Sequence, residues 1–166
     1  MKSNTLFHHH YTKEIDEKKA ILTRQNLLSM ILFLVVSIWA YIFKDFHLCE
    51  EVPIYLKTVL GAPPPAYLVS LSLVGYFFST LVLTLFAITK NLEPKPQWGH
   101  LGYRLAFFGF YAMSGAIAPN FMPVLLLGLL LYALDEYHIW AYNFIVYLLF
   151  IHPTAVHFVG VCEAAY

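Results

Sequence analysis

Two carboxylates and an imidazole interrupt a strongly apolar stretch of the sequence, at Asp135, Glu136 and His138. Ionisable side chains inside a membrane-spanning segment are costly, and they commonly belong to proton or ion pathways. An imidazole changes its charge near neutral pH, so a histidine beside two carboxylates could relay protons. Asp135 and His138 would also share one face of a helix, where they could hold a metal ion. These three residues are therefore a candidate polar membrane site.

The same three residues also fit a turn that joins two antiparallel membrane crossings. Asp135 would cap the N-terminus of a new helix, and Glu136 in its first turn would interact favourably with the helix dipole. Both carboxylates would then be solvated, which is their least costly state. This low cost favours a turn over a polar site held within the membrane.

Four histidines offer a second kind of chemistry, the ligation of haem b. His138 and His152 are 14 positions apart (152 − 138), which on a helix leaves them about 40° from the same face and roughly 21 Å apart along the axis. This spacing could serve two haems stacked across a membrane, each taking a second histidine from another helix. His47 and His100 are the candidate second ligands. If helices cross four times, His47 and His138 would lie near the outer side, and the other two near the inner side.

Neither a metal centre nor a catalytic residue is predicted. Membrane diiron oxygenases need tighter clusters of histidines than the sequence offers. The sequence also lacks a Walker loop, a Rossmann glycine pattern, a serine nucleophile elbow and a zinc CxxC pair. These absences argue against an enzyme that acts on its own.

Small residues recur at every third position of one apolar segment. Such residues in membrane helices usually allow another backbone to come close. We therefore predict a packing surface for a second helix, with bulky phenylalanine and tyrosine side chains on the opposite face. The small residues are Ala106, Gly109, Ala112, Gly115 and Ala118.

The composition places these candidate sites in a lipid bilayer. Hydrophobic residues make up 60% of the chain and charged residues only 12%, which leaves too few polar groups to cover a soluble domain of this size. The 10 Lys and Arg residues equal the 10 Asp and Glu residues, so no net field indicates a nucleic-acid partner. The sequence predicts an all-α polytopic membrane protein with no soluble domain.

The apolar regions predict four to five transmembrane helices. A crossing needs about 20 residues to span ~30 Å of hydrocarbon. The third region contains Arg104 near one end, where its long side chain is expected to reach the headgroups. The polar residues 1–26 precede the first region, and a short tail, 162–166, follows the last. The four apolar regions are 27–43, 66–89, 101–118 and 121–161.

The last apolar region is too long for one crossing. A turn at Asp135 would divide it into crossings near 121–134 and 138–160, which gives five crossings, and we favour this arrangement. A continuous helix would give four crossings, and it is compatible with the lack of Gly, Pro or Asn at 135–138. A disulfide between Cys49 and Cys162 would indicate five crossings, because only then would both lie on one side.

Basic residues predict the orientation of the chain. The first connection carries only Lys44 and Lys57, whereas Lys90, Lys95 and Arg104 lie around the second connection. The positive-inside rule therefore places the N-terminus in the cytoplasm, and we expect a bacterial inner membrane. The residues before the first crossing add to this bias through Lys2, Lys13, Lys18, Lys19 and Arg24.

A small integral membrane subunit is the function that the sequence predicts best. It would scaffold or support a larger complex for transport, secretion or electron transfer, with membrane lipid and other integral membrane subunits as its partners. The alternatives are a cytochrome b type subunit that ligates haem through His138 and His152, and a proton or ion pathway through Asp135, Glu136 and His138.

Overall fold

The computed structural model describes residues 2–46, 48–51, 53–95 and 98–151. These residues form helices and connecting segments, and no strand occurs among them. The helices in chain order are α1 (Lys2–Ile42), α2 (Leu48–Glu51), α3 (Ile54–Leu60), α4 (Ala66–Thr89), α5 (Trp98–Met113) and α6 (Ile117–Ile151).

Three of these helices are long and apolar enough to cross a membrane, which confirms the prediction of an all-helical membrane protein in its coarse form. The spans are Lys13–Ile42, Ala66–Thr89 and Ile117–Leu148. At about 1.5 Å per residue, each of them exceeds the ~30 Å of a hydrocarbon core. Helix α5 has 16 residues, or about 24 Å, and is shorter than this thickness.

Helices α1 and α6 pack against each other in opposite directions. Thr23 near the middle of α1 bonds to Glu136 far along α6, whereas the Tyr41 ring near the end of α1 lies 5.2 Å from the Phe121 ring at the start of α6. Between these two levels, Phe33 contacts α6 at Gly128. The antiparallel register of α1 and α6 is therefore maintained over about four turns of α6.

Helix α4 runs antiparallel to α5 and parallel to α6. Near the start of α4, Ser70 Oγ lies 2.8 Å from the Tyr111 hydroxyl of α5 and 3.4 Å from Asn120 Oδ1 of α6. Two turns later, the Tyr76 hydroxyl lies 2.8 Å from His100 Nδ1 at the start of α5. The N-terminal half of α1, the 90–97 connection and the C-terminal half of α6 consequently share one end of the bundle.

Local sequence determines where α4 and α5 end. Each of these helices is followed by a residue with positive φ, Asn91 at 50° and Gly115 at 62°. The next amide in each case donates to a carbonyl five residues back, from Leu92 to Ala87 and from Ala116 to Tyr111, both at 2.9 Å. This is the Schellman arrangement, which favours Gly or Asn at the left-handed position. Gly115 therefore terminates α5.

The expected turn at Asp135 is wrong, because α6 is continuous from Ile117 to Ile151. The chain turns earlier, at Ser114–Ala116, so the expected segment 101–118 is divided between α5 and α6. The segments 121–134 and 138–160 were expected to be separate, but as far as residue 151 they belong to one helix. No residue at 135–138 breaks a helix, and both carboxylates find partners within the bundle.

Aromatic side chains fill the centre of the bundle around Phe33, which is completely buried. Its ring centroid lies 6.0 Å from that of Phe108 on α5 and 5.8 Å from that of Tyr132 on α6. The same ring fills the space above Gly128, where an added Cβ would overlap it. Gly128 therefore allows the closest approach between α1 and α6.

Substitution of Gly128 by alanine is expected to lower the free energy of unfolding by about 1–3 kcal/mol. The new Cβ would displace the Phe33 ring, which has no solvent side to move into. Gly75 provides a matched control, because nothing lies within 4 Å of a Cβ added there. Thermal unfolding in one detergent should show a lower midpoint for Gly128→Ala than for Gly75→Ala, and Phe33→Leu should partly restore it. Equal midpoints for the two alanine variants would contradict this packing.

Candidate functional site: a polar site at one end of the bundle

Asp135 forms a buried ion pair with Arg104 of α5. Arg104 Nη2 donates to Asp135 Oδ2 at 2.9 Å, with side-chain exposures of 3% and 10%. The guanidinium carbon also lies 3.9 Å from the centre of the Tyr132 ring, a cation–π contact. Arg104 was expected to extend to the headgroups, so its burial against Asp135 corrects that prediction. The ion pair joins α5 to α6.

Glu136 faces a different helix from its neighbour Asp135. Its two carboxylate oxygens accept hydrogen bonds from Thr23 Oγ1 at 3.1 Å and Asn26 Nδ2 at 3.0 Å, both on α1. Successive residues of a helix point about 100° apart, so one dipeptide can bond to two neighbouring helices. Asp135 and Glu136 thus hold α5 and α1 against α6.

His138 and His100 lie at the same end of the bundle, and each has a hydrogen-bond partner. His138 Nε2 lies 3.0 Å from the Leu92 carbonyl oxygen, and His100 Nδ1 lies 2.8 Å from the Tyr76 hydroxyl. The four-crossing arrangement predicted His138 and His100 at opposite ends of the bundle, but the structure places both at the same end. The other two candidate haem ligands, His47 and His152, lie outside the described residues. Within the described ranges, no group of three His, Cys, Asp or Glu could hold a metal ion.

A small polar cavity opens beside the ion pair, with a volume of about 30 Å³. That volume accommodates about two water molecules. Among the described residues, three buried side-chain atoms have no hydrogen-bond partner: Gln25 Oε1, Arg104 Nε and Asp135 Oδ1. All three residues line this cavity. Buried polar atoms normally have partners, and water is the partner that a cavity of this size admits.

The cavity lies where α1 changes from charged to apolar sequence. Ser29 Oγ bonds to the Tyr132 hydroxyl at 2.9 Å on its apolar side. On its charged side, Lys18 Nζ lies 3.9 Å from Glu93 Oε1 of the 90–97 connection. Counting about 20 residues back from Ile42 for a hydrocarbon core of ~30 Å reaches Thr23. The polar site thus coincides with one boundary of the hydrocarbon layer that α1 can span.

Helix α5 turns an aromatic face inwards and Gly109 outwards, whereas Ala106 and Ala112 are partly buried. Phe107, Phe108 and Tyr111 are buried in the bundle. Gly109 is exposed, and nothing lies within 4 Å of a Cβ added there. The five small residues do not form one surface, since Gly115 lies in the turn and Ala118 on α6. Ala106, Gly109 and Ala112 remain on α5, and the described helices leave Gly109 uncovered.

Three exposed aromatic residues and a leucine follow the polar site along α6. We call this surface the aromatic stripe, and it consists of Tyr137, Trp140, Phe144 and Leu148. The rings of Trp140 and Phe144 stack with centroids 5.4 Å apart and an interplanar angle of 10°, and about half of each side chain is exposed. The register of α1 and α6 places these residues at the same height along the bundle as the exposed charges of Lys13 to Lys18. Apolar and charged surfaces therefore occur at the same level.

Sequence reasoning missed Arg104 and Gln25 as members of the polar site. The available signal was an arginine inside an apolar segment, a position that calls for a partner such as a carboxylate. Gln25 gave no such signal, because it lies in the polar residues before the apolar part of α1. Asp135 and His138 line the same cavity, whereas Glu136 bonds to α1.

Comparison with known proteins adds no relative to this description. The chain matches no protein-family model, and no curated protein or solved structure is detectably similar to it.

Proposed function

We propose that the protein is a small integral membrane subunit that supports a larger complex in a bacterial inner membrane, where it packs against other integral membrane proteins. The aromatic stripe of α6 carries this proposal. Beyond Glu136, the headgroup layer extends for about 5–8 Å. Tyr137 and Trp140 fit an interfacial aromatic belt within that layer. Leu148 lies 12 residues beyond Glu136 (148 − 136), or about 18 Å, and so extends past the lipid.

A docked partner protein is the environment that suits both the aromatic stripe of α6 and the exposed charges of α1 at the same height. Hydrocarbon would cover Phe144 and Leu148 but would also desolvate the exposed charges of α1 from Lys13 to Lys18. Water would solvate those charges and leave the stripe uncovered, and contiguous exposed apolar patches mark interaction sites. A protein docked on the stripe covers one surface and leaves the other in water. The outward face of α5 at Gly109 offers a second place for close helix packing.

Four crossings are the arrangement that we adopt, formed by α1, α4, α5 and α6. The alternating directions of these helices support this count. Helix α5 is short, but thinning of the bilayer costs only fractions of a kcal/mol per Å. The basic residues before the apolar part of α1 and in the 90–97 connection place both on the cytoplasmic side. The N-terminus and the end of α6 are then cytoplasmic.

The two native cysteines test this topology. A membrane-impermeant maleimide applied from outside should label a Cys162→Ser variant at Cys49, which lies in α2 after the first crossing. A Cys49→Ser variant should react at Cys162 only after the membrane is permeabilised. Labelling of both variants in intact cells would instead support five crossings.

The partners of Asp135 and Glu136 support a structural role for both carboxylates within this subunit. Each is bonded to a different helix, and breaking either contact would leave a polar group without a partner. To carry protons, Asp135 or Glu136 would have to leave its present hydrogen-bond partners and form others.

Extraction in a mild detergent tests the subunit proposal. The full chain should migrate above the size expected for a detergent-bound 19.1 kDa monomer and should bring companion polypeptides that mass spectrometry identifies in stoichiometric amounts. A stable monomer that carries only detergent and lipid would refute the proposal. Retention of the chain in the membrane after a carbonate wash shows separately that it is embedded in lipid.

A further inference from the structure

We propose that helix α3 is an interfacial anchor, which lies on the outer leaflet of the bilayer and inserts one face into the lipid. Helix α3 belongs to the connection between the first two membrane spans. Its binding surface is the boundary between the headgroups and the acyl chains. The inference rests on the crossings of α1 and α4, but it does not depend on the existence of a partner subunit.

Helix α3 has no support from the bundle at the side chains that the structure describes. It contains 7 residues, whereas isolated helices shorter than ~12 residues are marginal in water. Each of its described side chains is exposed. Ile54 is 81% exposed and Val59 79%, which exceeds every other large apolar residue in the described ranges. An environment outside the chain must therefore stabilise this helix.

One face of α3 is apolar, and a charge lies on the other side. At about 100° per residue, four residues fall within an arc of about 140°. The Thr58 hydroxyl donates to the Tyr55 carbonyl oxygen at 2.6 Å, so this donor needs no partner in lipid. Lys57 points about 130° away from the centre of the arc, and its Nζ donates to the Glu50 carbonyl oxygen at 3.2 Å. This pattern is typical of a helix that lies in the membrane interface. The face consists of Ile54, Tyr55, Thr58 and Val59.

The connection to α4 holds α3 near the outer headgroups. The Gly61 amide donates to the Lys57 carbonyl oxygen at 3.0 Å, and φ at Gly61 is 76°, so α3 ends there. Residues 62–65 then lead to Ala66, the first residue of α4, and can span at most about 14 Å. Helix α4 has 24 residues, or about 36 Å, and fills the ~30 Å hydrocarbon core with little excess. Helix α3 therefore cannot move far from the outer boundary of that core.

Lipid fits this face better than a protein partner does. A specific protein interface usually buries about 800 Å² on each partner, and three large side chains supply less than that area even when fully covered. Tyrosine is enriched at membrane interfaces, and the exposed Trp39 and Phe43 mark the same interface at the end of α1. Residues 43–65 carry two lysines against three acidic residues, so the anchor has no excess positive charge for anionic lipid.

Spin-label accessibility in phosphatidylcholine nanodiscs measures the depth of α3 in the full-length protein. The native cysteines are replaced by Cys49→Ser and Cys162→Ser, and one nitroxide is attached after Val59→Cys, Lys57→Cys or Ser79→Cys. Oxygen concentrates in hydrocarbon and a nickel chelate stays in water, so the ratio of their collision rates reports depth. We expect position 59 to lie about 5–10 Å into the boundary, with a ratio at least about threefold above that of position 57. Ser79, on the exposed side of α4 near its middle, reports the hydrocarbon core.

Glutamine at two positions of α3 provides matched variants. Val59→Gln adds a polar group to the inserted face and should increase the collisions of a nitroxide at position 54 (Ile54→Cys) with the nickel chelate by about threefold. Lys57→Gln places the same side chain towards water and should leave these collisions unchanged. Replacing about a quarter of the lipid by phosphatidylglycerol should also leave them unchanged, because the anchor has no excess positive charge.

Each alternative result has a definite meaning. Equal ratios at positions 57 and 59 would overturn the proposal, because α3 would then stand in water. Few collisions with either reagent at position 59 would also overturn it, since a protein surface would then cover the face. Contact of position 79 with water would overturn both the crossing of α4 and the anchor. An inserted α3 in a chain that purifies without companions would support the anchor and refute the subunit proposal.

Discussion

Replacement of Asp135 by asparagine is expected to reduce the free energy of unfolding by about 3–5 kcal/mol, because it leaves the buried charge of Arg104 without a counter-ion. Asparagine keeps the size of the side chain, so the effect arises from charge. Only 3% of the Arg104 side chain is exposed, and its guanidinium cannot lose its proton. The loss should appear as a lower midpoint in thermal or denaturant unfolding in detergent.

The double variant Arg104→Met/Asp135→Leu separates this charge effect from packing. Apolar side chains of similar volume often replace a buried ion pair at little cost. The double variant should therefore be more stable than Asp135→Asn by at least about 2 kcal/mol. Glu136→Gln is a matched control at the adjacent position, since an amide oxygen still accepts from Thr23 or Asn26. If Glu136→Gln lowered the free energy of unfolding as much as Asp135→Asn, the loss would not be specific to the ion pair.

Removal of two stacked rings from the aromatic stripe should detach the protein from its partners. In Trp140→Ala/Phe144→Ala, the interface loses its largest apolar side chains, and loss of such anchors commonly weakens binding by about 2–4 kcal/mol each. We expect association to fall by at least ~100-fold, measured as the recovery of companion polypeptides after extraction in mild detergent.

An almost identical pair at the other end of the molecule provides the control. Trp39 and Phe43 lie four residues apart on α1 with ring centroids 5.8 Å apart and an interplanar angle of 11°. Both are exposed, and they lie at the end of the first crossing, where an interfacial belt explains them. Trp39→Ala/Phe43→Ala should retain the companions. Equal losses from the two double variants would indicate a general defect rather than an interface on α6.

The helical class and the membrane were predictable from composition and apolar length alone. Both are properties of whole segments, because a helix of about 20 apolar residues is long enough to span the hydrocarbon core. Helix α4 occupies the residues of the second expected crossing, Ala66–Thr89. Its start follows three prolines, and its end carries Asn91 in the left-handed conformation that stops helices.

The path of the chain through α6 was not predictable from its local sequence. Asp135 and Glu136 resembled a solvated turn because the sequence near them offers no partner. Their partners are Arg104, 31 positions earlier, and Thr23, 113 positions earlier. Hydrogen bonds from these distant residues offset the desolvation cost of the buried carboxylates, and that cost was the reason for expecting a solvated turn. The same limit applies to the cavity, whose walls come from three helices and one connection.

The role of Gly115 shows a local signal that was misassigned. Its spacing fitted a repeat of small residues, but its position just before α6 fits a helix C-terminus as well. Glycine at a left-handed position satisfies backbone groups at the end of a helix, and φ at Gly115 is 62°. Gly109, six residues earlier, remains on a regular helical face and keeps the packing role as a prediction.

Site-specific photo-crosslinking in intact cells tests the proposed interface most directly. A photoreactive residue in place of Phe144, on the aromatic stripe, should crosslink to another polypeptide and produce a discrete band of higher mass. The same residue in place of Leu71, which is exposed on α4, should label lipid and leave the chain at its monomer mass. Lipid or solvent adducts alone at position 144, with no protein adduct, would contradict the account.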